Sequence, residues 1–224
     1  MKNQTGQRKL NATRVIASTV GVLCGISGLE HGFFETLQGS AVPSELLISA
    51  IGPAQRFWPG GAETALTIVP NFFVTGLLAM LASLLVIVWS AAFIQREYGS
   101  LVFFLLSVFQ FLVGGGFAQI FLVLLNTAAA TQINAPWKGW RVLLPGFLRR
   151  GLARLWVGLL VVFALAFLSA MYAAVFGTFP LVGSLFDLRI ENMTDTLYSL
   201  GYGLLALLPL TVLADLAQDI ENFV

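Results

Sequence analysis

Three ionisable side chains lie close together at the end of an apolar run, where their types could support acid–base or metal chemistry. Glu30, His31 (the only histidine in the chain) and Glu35 follow the apolar residues 15–29. On a helix, His31 and Glu35 are four residues apart and share a face, whereas Glu30 points about 100° away from His31. An imidazole beside a carboxylate can hold or pass a proton near neutral pH. If the helix ends near residue 29 instead, the three groups lie in water or among lipid headgroups and need no function.

A second polar series recurs at every fourth residue of another apolar segment. Its members are Glu63, Thr67, Asn71 and Thr75. On a helix over residues 63–94 they would form a polar ribbon, and Pro70 would free a backbone carbonyl inside it. Such groups can line the path of a solute or an ion. In the alternative, structural interpretation, the threonines bond to their own helix, Asn71 compensates for the proline, and Glu63 interacts with the helix dipole.

A stripe of small residues on the first segment predicts that His31 and Glu35 lie beside a neighbouring helix. Four glycines fall on one side of a helix over residues 15–38: Gly21, Gly25, Gly28 and Gly32. A stripe of small residues lets a second helix approach closely, and His31 and Glu35 flank this stripe. If both segments cross a membrane, the first ends on the side where the second begins. We therefore predict a candidate vestibule formed by Glu30, His31, Glu35, Glu63, Thr67 and Asn71.

The composition indicates that lipid surrounds most of this chain. The 224 residues are 58% hydrophobic and 10% charged, with a mean hydropathy of +0.87, whereas soluble domains average about 25% charged residues. A net charge of +1 gives no sign of nucleic-acid binding. One cysteine, Cys24, excludes an internal disulfide, and one histidine excludes zinc sites built on several imidazoles. No nucleotide-binding or hydrolase motif is present, and one histidine with carboxylates is a weak metal signature, so the sequence assigns neither a cofactor nor a metal.

The predicted fold is an all-α polytopic integral membrane helical bundle, a single transmembrane domain over residues 1–224. About five hydrophobic segments form it, of which one can be re-entrant or broken, at residues 15–38, 63–94, 101–131, 155–176 and 197–213. A turn at residues 95–99 predicts that the second and third segments form a helical hairpin. The remaining parts are a basic N-terminal tail (1–14), a folded extramembrane loop (39–62) with a short helix at 45–51, a basic interfacial stretch (132–154) and an acidic tail (214–224).

The basic residues bear on how many segments cross. Five full crossings put six of the twelve basic residues on each side, which gives no orientation bias. If either the first or the third segment dips in and returns, ten of the twelve share the side of the N-terminus. The third segment has Gly114, Gly115 and Gly116 at its centre, each costing about 1 kcal/mol of helix propensity. Five full crossings and a re-entrant segment both remain open. The excess of basic residues on the side of the N-terminus predicts that the N-terminus is cytoplasmic and that the protein lies in the cell membrane.

Three classes of function fit these features. The first is a small transporter or channel-like protein with a polar vestibule between the first two segments. The alternative is a non-catalytic structural or accessory subunit of a membrane complex, in which polar groups are hydrogen-bonded between helices. A membrane enzyme that uses His31 and Glu35 is the third, and the lack of a recognisable catalytic cluster argues against it. The expected partners are the lipid bilayer and either a second copy of this chain or other membrane subunits.

Overall fold

The computed structural model of the chain describes residues 11–133, 145–179 and 192–222. Within these ranges it contains six α-helices and one two-stranded antiparallel sheet. The helices are α1 Ala12–Thr36, α2 Phe72–Ala92, α3 Gly99–Leu112, α4 Gln119–Ala130, α5 Gly146–Phe176 and α6 Met193–Asn222; the strands are β1 Leu47–Ser49 and β2 Thr64–Leu66. The helices α1, α2, α5 and α6 are long and apolar enough to cross a membrane. The predicted all-α polytopic bundle is confirmed.

The first helix lies at the centre of the bundle and continues through the polar residues. It packs against α2, α4, α5 and α6. Its first turn is capped twice: the Asn11 side chain accepts a hydrogen bond from the Arg14 amide, and the Asp219 carboxylate of α6 accepts from the amides of Ala12 and Thr13. The helix ends only at Thr36, so an end near residue 29 is wrong. Glu30, His31 and Glu35 are therefore held in helical register among neighbouring elements.

The glycines of α1 face α2 at close range. A Cβ atom on Gly32 would lie 2.7 Å from the Gly76 carbonyl oxygen of α2, and one on Gly25 would lie 3.0 Å from the Ser83 carbonyl oxygen. Gly21 and Gly28 likewise have no room for a side chain. Because both backbones approach this closely, α2 covers the small-residue stripe of α1 within the chain itself.

The third predicted segment is broken into two helices that run in opposite directions. Between α3 and α4 the residues 113–118, called here the glycine break, include Gly114 at φ 104° and Gly116 at φ 99°. Such angles favour glycine, which has no Cβ to clash with the backbone. From this break α4 returns along α1: Gln119 bonds the Ser27 hydroxyl, and Asn126 then bonds the Ala17 carbonyl, closer to the start of α1.

The contacts at the helix ends define two ends of the bundle. The start of α1 meets the end of α6 through Asp219, and the end of α6 meets the start of α5 through a Glu221–Arg149 ion pair. The end of α4 reaches the same place, since Asn11 donates to the Ile133 carbonyl. We call this the amino end. Because α3 also starts there, directly after α2, the pair α3–α4 begins and ends at the amino end. The third predicted segment is therefore not one crossing helix, and four helices in the described ranges, rather than five, are long enough to cross.

The second predicted helix is shorter than expected, and the loop before it contains a sheet. The α2 helix begins at Phe72 rather than at residue 63, because Asn71 caps it by accepting from the Val74 amide and Pro70 lies outside it. A helical polar ribbon from Glu63 is therefore wrong. The predicted helix at residues 45–51 is also wrong, because this stretch forms β1, which pairs with β2 and satisfies its backbone groups there.

The last two helices extend beyond their predicted bounds. The α5 helix begins at Gly146, so the basic residues at 149, 150 and 154 belong to it, while residues 134–144 of the predicted basic stretch lie outside the described residues. The basic tail is described only from residue 11 and the acidic tail only to residue 222. Residues 214–222 belong to α6. From there Asp219 caps the start of α1 and Glu221 pairs with Arg149.

The outer faces of the long helices are apolar, whereas polar side chains lie between helices. Leu81 of α2 is 59% exposed and Leu165 of α5 is 61% exposed. Gln110 is buried and donates to the Cys24 carbonyl and to the Ser83 hydroxyl. Gln119 and Asn126 likewise donate hydrogen bonds from α4 to α1. A surface of this kind is suited to lipid rather than to water.

Candidate functional site

Four ionisable side chains meet at the end of the bundle opposite the amino end. Glu30, His31 and Glu35 project from the last two turns of α1, and Glu63 stands immediately before β2. We call these four residues the Glu–His cluster. The helical spacing of four brings His31 and Glu35 to one side of α1. The β1–β2 hairpin adds the fourth group from a part of the chain about 30 residues further on.

The His31 ring is held in one orientation. Its Nδ1 atom lies 2.9 Å from the Ser27 carbonyl oxygen, which can only accept a hydrogen bond, so Nδ1 carries the hydrogen. Its Nε2 atom then points at Glu63 Oε2, 2.9 Å away. If the ring is neutral, the lone pair of Nε2 faces a lone pair of the Glu63 carboxylate, and the two repel each other. The contact therefore calls for a positive species between the two atoms, either a proton or a metal ion.

Two further carboxylates in the cluster lack partners. Glu35 is fully buried at 0% exposure, and neither of its oxygens has a hydrogen-bond partner among the described residues. The Glu30 side chain is 15% exposed, and its oxygens also lack a hydrogen-bond partner there; the nearer oxygen lies 3.8 Å from His31 Nδ1. Within the described ranges no lysine or arginine forms an ion pair with any of the three glutamates. Buried negative charge without compensation is costly, so the cluster requires protons or a cation.

The glycine break closes the cluster from the side of α3 and α4. A side chain at Gly114 would overlap the Glu35 carboxylate, and a Cβ atom on Gly116 would lie 3.1 Å from His31 Nε2. The break is fixed on both sides, since the Phe117 amide donates to the Thr64 carbonyl at 3.0 Å and the Thr75 hydroxyl donates to the Val113 carbonyl at 2.7 Å. Backbone without a side chain can thus lie directly against the two charged groups.

A small cavity lies between α3 and α4 behind this break. Its volume is about 10 Å³, close to the space of one water molecule. Gly115, Gly116 and Gln119 are among its lining residues. The cavity thus has room for about one water molecule beside the break.

The backbone at Glu63 is strained. Its φ angle is 30°, which is unfavourable for a residue with a Cβ atom. The Ala50 amide donates to the Glu63 carbonyl at 2.8 Å and fixes the residue to the hairpin. Such strain persists only where the surrounding structure holds it. Here the result is that the Glu63 carboxylate is directed at His31.

Two predicted vestibule residues lie outside the cluster and have structural partners. The Thr67 hydroxyl lies 2.5 Å from the Thr75 hydroxyl, and Asn71 caps α2. Two charged residues of the loop are also separate, since Arg56 bonds the Ser49 hydroxyl and Glu45 is exposed. The structure thus brings together Glu30, His31, Glu35 and Glu63. Thr67 and Asn71, which precede α2, lie apart from them.

Sequence reasoning missed the role of the glycine break. The three consecutive glycines indicated a break in the third segment, but nothing in their spacing indicated which residues they would meet. Their position carried a usable signal. A break halfway along an apolar segment turns the chain back inside the membrane, and the irregular backbone there needs a polar or closely packed neighbour. Gly114 and Gly116 meet that need by contacting Glu35 and His31.

Three members of the cluster could hold a metal ion. Glu30, His31 and Glu63 each offer one ligand atom, and these atoms all lie within 4.8 Å of one another. The chain matches no protein-family model, no curated protein and no solved structure.

Proposed function

We propose that the protein is a small multi-pass membrane transport protein that binds a cation at the Glu–His cluster and moves it across the bilayer. One observation carries the proposal: three carboxylates and one imidazole are gathered around a glycine break with no lysine or arginine paired to the carboxylates among the described residues. Ionisable groups at membrane depth are costly and usually mark ion or substrate pathways.

The helix architecture supports the same function. In many transporters, helices that break at membrane depth form the ion site at the break, because irregular backbone is tolerated there only inside protein or along a cavity. Here the glycine break lies against His31 and Glu35.

Charge distribution supports an orientation. If the four long apolar helices cross, five of the six basic residues in the described ranges lie at the amino end: Arg14, Arg96, Arg149, Arg150 and Arg154. The sixth, Arg56, lies in the loop at the opposite end. Because basic residues are retained in the cytoplasm, we place the amino end on the cytoplasmic side of the cell membrane and the Glu–His cluster toward the outer side.

The accessory-subunit alternative has less support. It would be favoured by an open glycine stripe on α1, where a partner helix could pack, but α2 covers that stripe within the chain. It also treated the polar groups as hydrogen-bonded links between helices, which describes Gln110 and Asn126 but not the unpartnered Glu35.

The test is cation flux in vesicles that contain the purified protein. We expect wild-type protein to move at least one of the tested cations (H⁺, Na⁺, K⁺, Ca²⁺, Mn²⁺ or Zn²⁺) down its gradient. Glu35→Gln should lower that flux by about tenfold or more, because it removes one charge from the site. Glu97→Gln, at an exposed position in the α2–α3 turn, is the matched control and should leave the flux unchanged. Absence of flux for every cation, or equal loss in both variants, would overturn the proposal.

A further inference from the structure

We infer that the cation is a divalent transition metal of the zinc, manganese and iron(II) class, with Glu30, His31 and Glu63 as its ligands. The inference rests on the proposed function for the ion's role as cargo and names the substrate class of that site. It depends on three further observations: the aim of the histidine ring, the donor set, and the buried carboxylate beside it.

The histidine ring already has the arrangement of a metal ligand. Metal-binding histidines usually donate their second ring N–H to a carbonyl or carboxylate, which fixes the ring. His31 donates from Nδ1 to the Ser27 carbonyl at 2.9 Å and directs Nε2 at Glu63. A tetrahedral ion with bonds of about 2.0–2.2 Å holds two ligand atoms about 3.3–3.5 Å apart. The observed 2.9 Å between Nε2 and Oε2 must therefore open by about half an ångström, and Glu30, whose nearer oxygen lies 3.8 Å from Nδ1, must move toward Nε2 to complete the set.

The donor set selects the class of ion. One imidazole nitrogen with carboxylate oxygens suits zinc, manganese and iron(II), whereas calcium and magnesium prefer oxygen ligands alone. Copper(I) prefers sulfur, and Cys24 donates none here because it lies about two helical turns before His31 on α1. Two carboxylates with a neutral imidazole also balance the charge of a divalent ion, which lowers the cost of burying it.

Glu35 is the independent sign that something positive belongs at this site. It is fully buried, both of its oxygens are unpartnered among the described residues, and it lies on the same side of α1 as His31. Three ligands leave a tetrahedral ion one open position, as in exchangeable zinc sites. Glu35 or a water molecule can occupy that position, and replacement of one by the other provides a route for release of the ion.

The experiment measures metal binding by the full-length protein in detergent, separately from transport. Co²⁺ serves as the coloured probe and Zn²⁺ as the competitor. We expect one equivalent of Co²⁺ to bind wild-type protein, with a visible spectrum that Zn²⁺ abolishes. Glu63→Gln should weaken binding by about tenfold or more, while Glu45→Gln, at an exposed position of the same loop, should bind like wild type.

A second variant distinguishes loss of metal binding from loss of folding. His31→Gln should lose binding while it keeps the helical content and the size-exclusion profile of wild type. If wild-type protein binds no Co²⁺, Zn²⁺ or Mn²⁺ at millimolar concentration, or if Glu63→Gln and Glu45→Gln bind equally well, the inference is overturned.

The two proposals fail in different ways. Specific metal binding in detergent without flux in vesicles would uphold the metal site and overturn transport. Flux of protons or a monovalent cation that depends on Glu35, without metal binding, would uphold transport and overturn the metal site.

Discussion

Individual buried polar residues in this chain differ in whether the bundle satisfies them. Asp219 is buried and accepts hydrogen bonds from Ala12 and Thr13, so its charge has a structural role at the start of α1. Glu35 is buried and unpartnered among the described residues. The sequence marked both as acidic residues near the ends of apolar segments. It could not separate them, because the separation depends on contacts between residues that are far apart along the chain.

Removal of Asp219 should destabilise the bundle. Asp219→Ala leaves two backbone amides of α1 without their acceptor, and the loss of a helix cap costs about 0.5–2 kcal/mol. We expect a lower midpoint of thermal unfolding in detergent, followed by circular dichroism. Glu221→Gln breaks only a partly exposed ion pair and should change the midpoint less. Equal midpoints for the two variants would show that Asp219 does not act as a cap.

Neutralisation of Glu35 should have the opposite effect on stability. Glu35→Gln replaces an uncompensated buried carboxylate with a neutral amide of similar size, so the metal-free protein should gain about 1–3 kcal/mol. The thermal midpoint in the presence of a chelator should therefore rise by a few degrees while cation flux falls. A midpoint at or below that of wild type would contradict the view that Glu35 is kept for function at a cost in stability.

At the scale of elements, the sequence predicted what depends on local periodicity and missed what depends on pairing. The first helix and its glycine face follow from a regular spacing of small residues. The start of α2 was misplaced because a spacing of four across residues 63–75 resembles a helix, whereas Pro70 and the Asn71 cap exclude it. The strands β1 and β2 are three residues each and pair across an intervening loop, which no local pattern reveals.

Close packing between α1 and α2 can be tested with a single methyl group. In Gly76→Ala the new Cβ would collide with the Thr36 amide nitrogen of α1 at 2.7 Å, a backbone atom that cannot rotate away. We expect a lower thermal midpoint and lower yield of folded protein. Gly158→Ala, with no atom within 4 Å of the new methyl, should be neutral or slightly stabilising because alanine favours helix. Similar behaviour of the two variants would argue against close contact between α1 and α2 at Gly76.

The glycine break should tolerate no side chain at Gly116. Its φ of 99° is unfavourable for alanine by about 1–2 kcal/mol or more, and the added Cβ would press on the His31 ring. Gly116→Ala should therefore reduce Co²⁺ binding and cation flux while the helical content stays at the wild-type level. Gly151→Ala on α5 is the matched control, since its methyl meets nothing within 4 Å. Unchanged Co²⁺ binding in Gly116→Ala would show that the glycine break does not contribute to the metal site.

At the scale of the whole molecule, the arrangement depends on a hairpin that the sequence left undecided. Composition and the lengths of the apolar segments predicted the all-α membrane bundle. The number of crossings could not follow from composition, because glycines are also common in helices that cross fully. The hydrogen bonds of Gln119 and Asn126 to successive parts of α1 show that α4 returns toward the amino end.

The central claim is that α3 and α4 enter and leave on one side of the membrane and carry the glycine break to the Glu–His cluster. The most direct measurement is the labelling of single cysteines in intact cells with a maleimide that cannot cross the membrane, in a Cys24→Ala background. We predict that Glu97→Cys and Thr131→Cys, at the two outer ends of α3 and α4, are both protected until the cells are opened, whereas Glu45→Cys is labelled at once. Labelling of Thr131→Cys but not Glu97→Cys in intact cells would mean a full crossing and would contradict this claim.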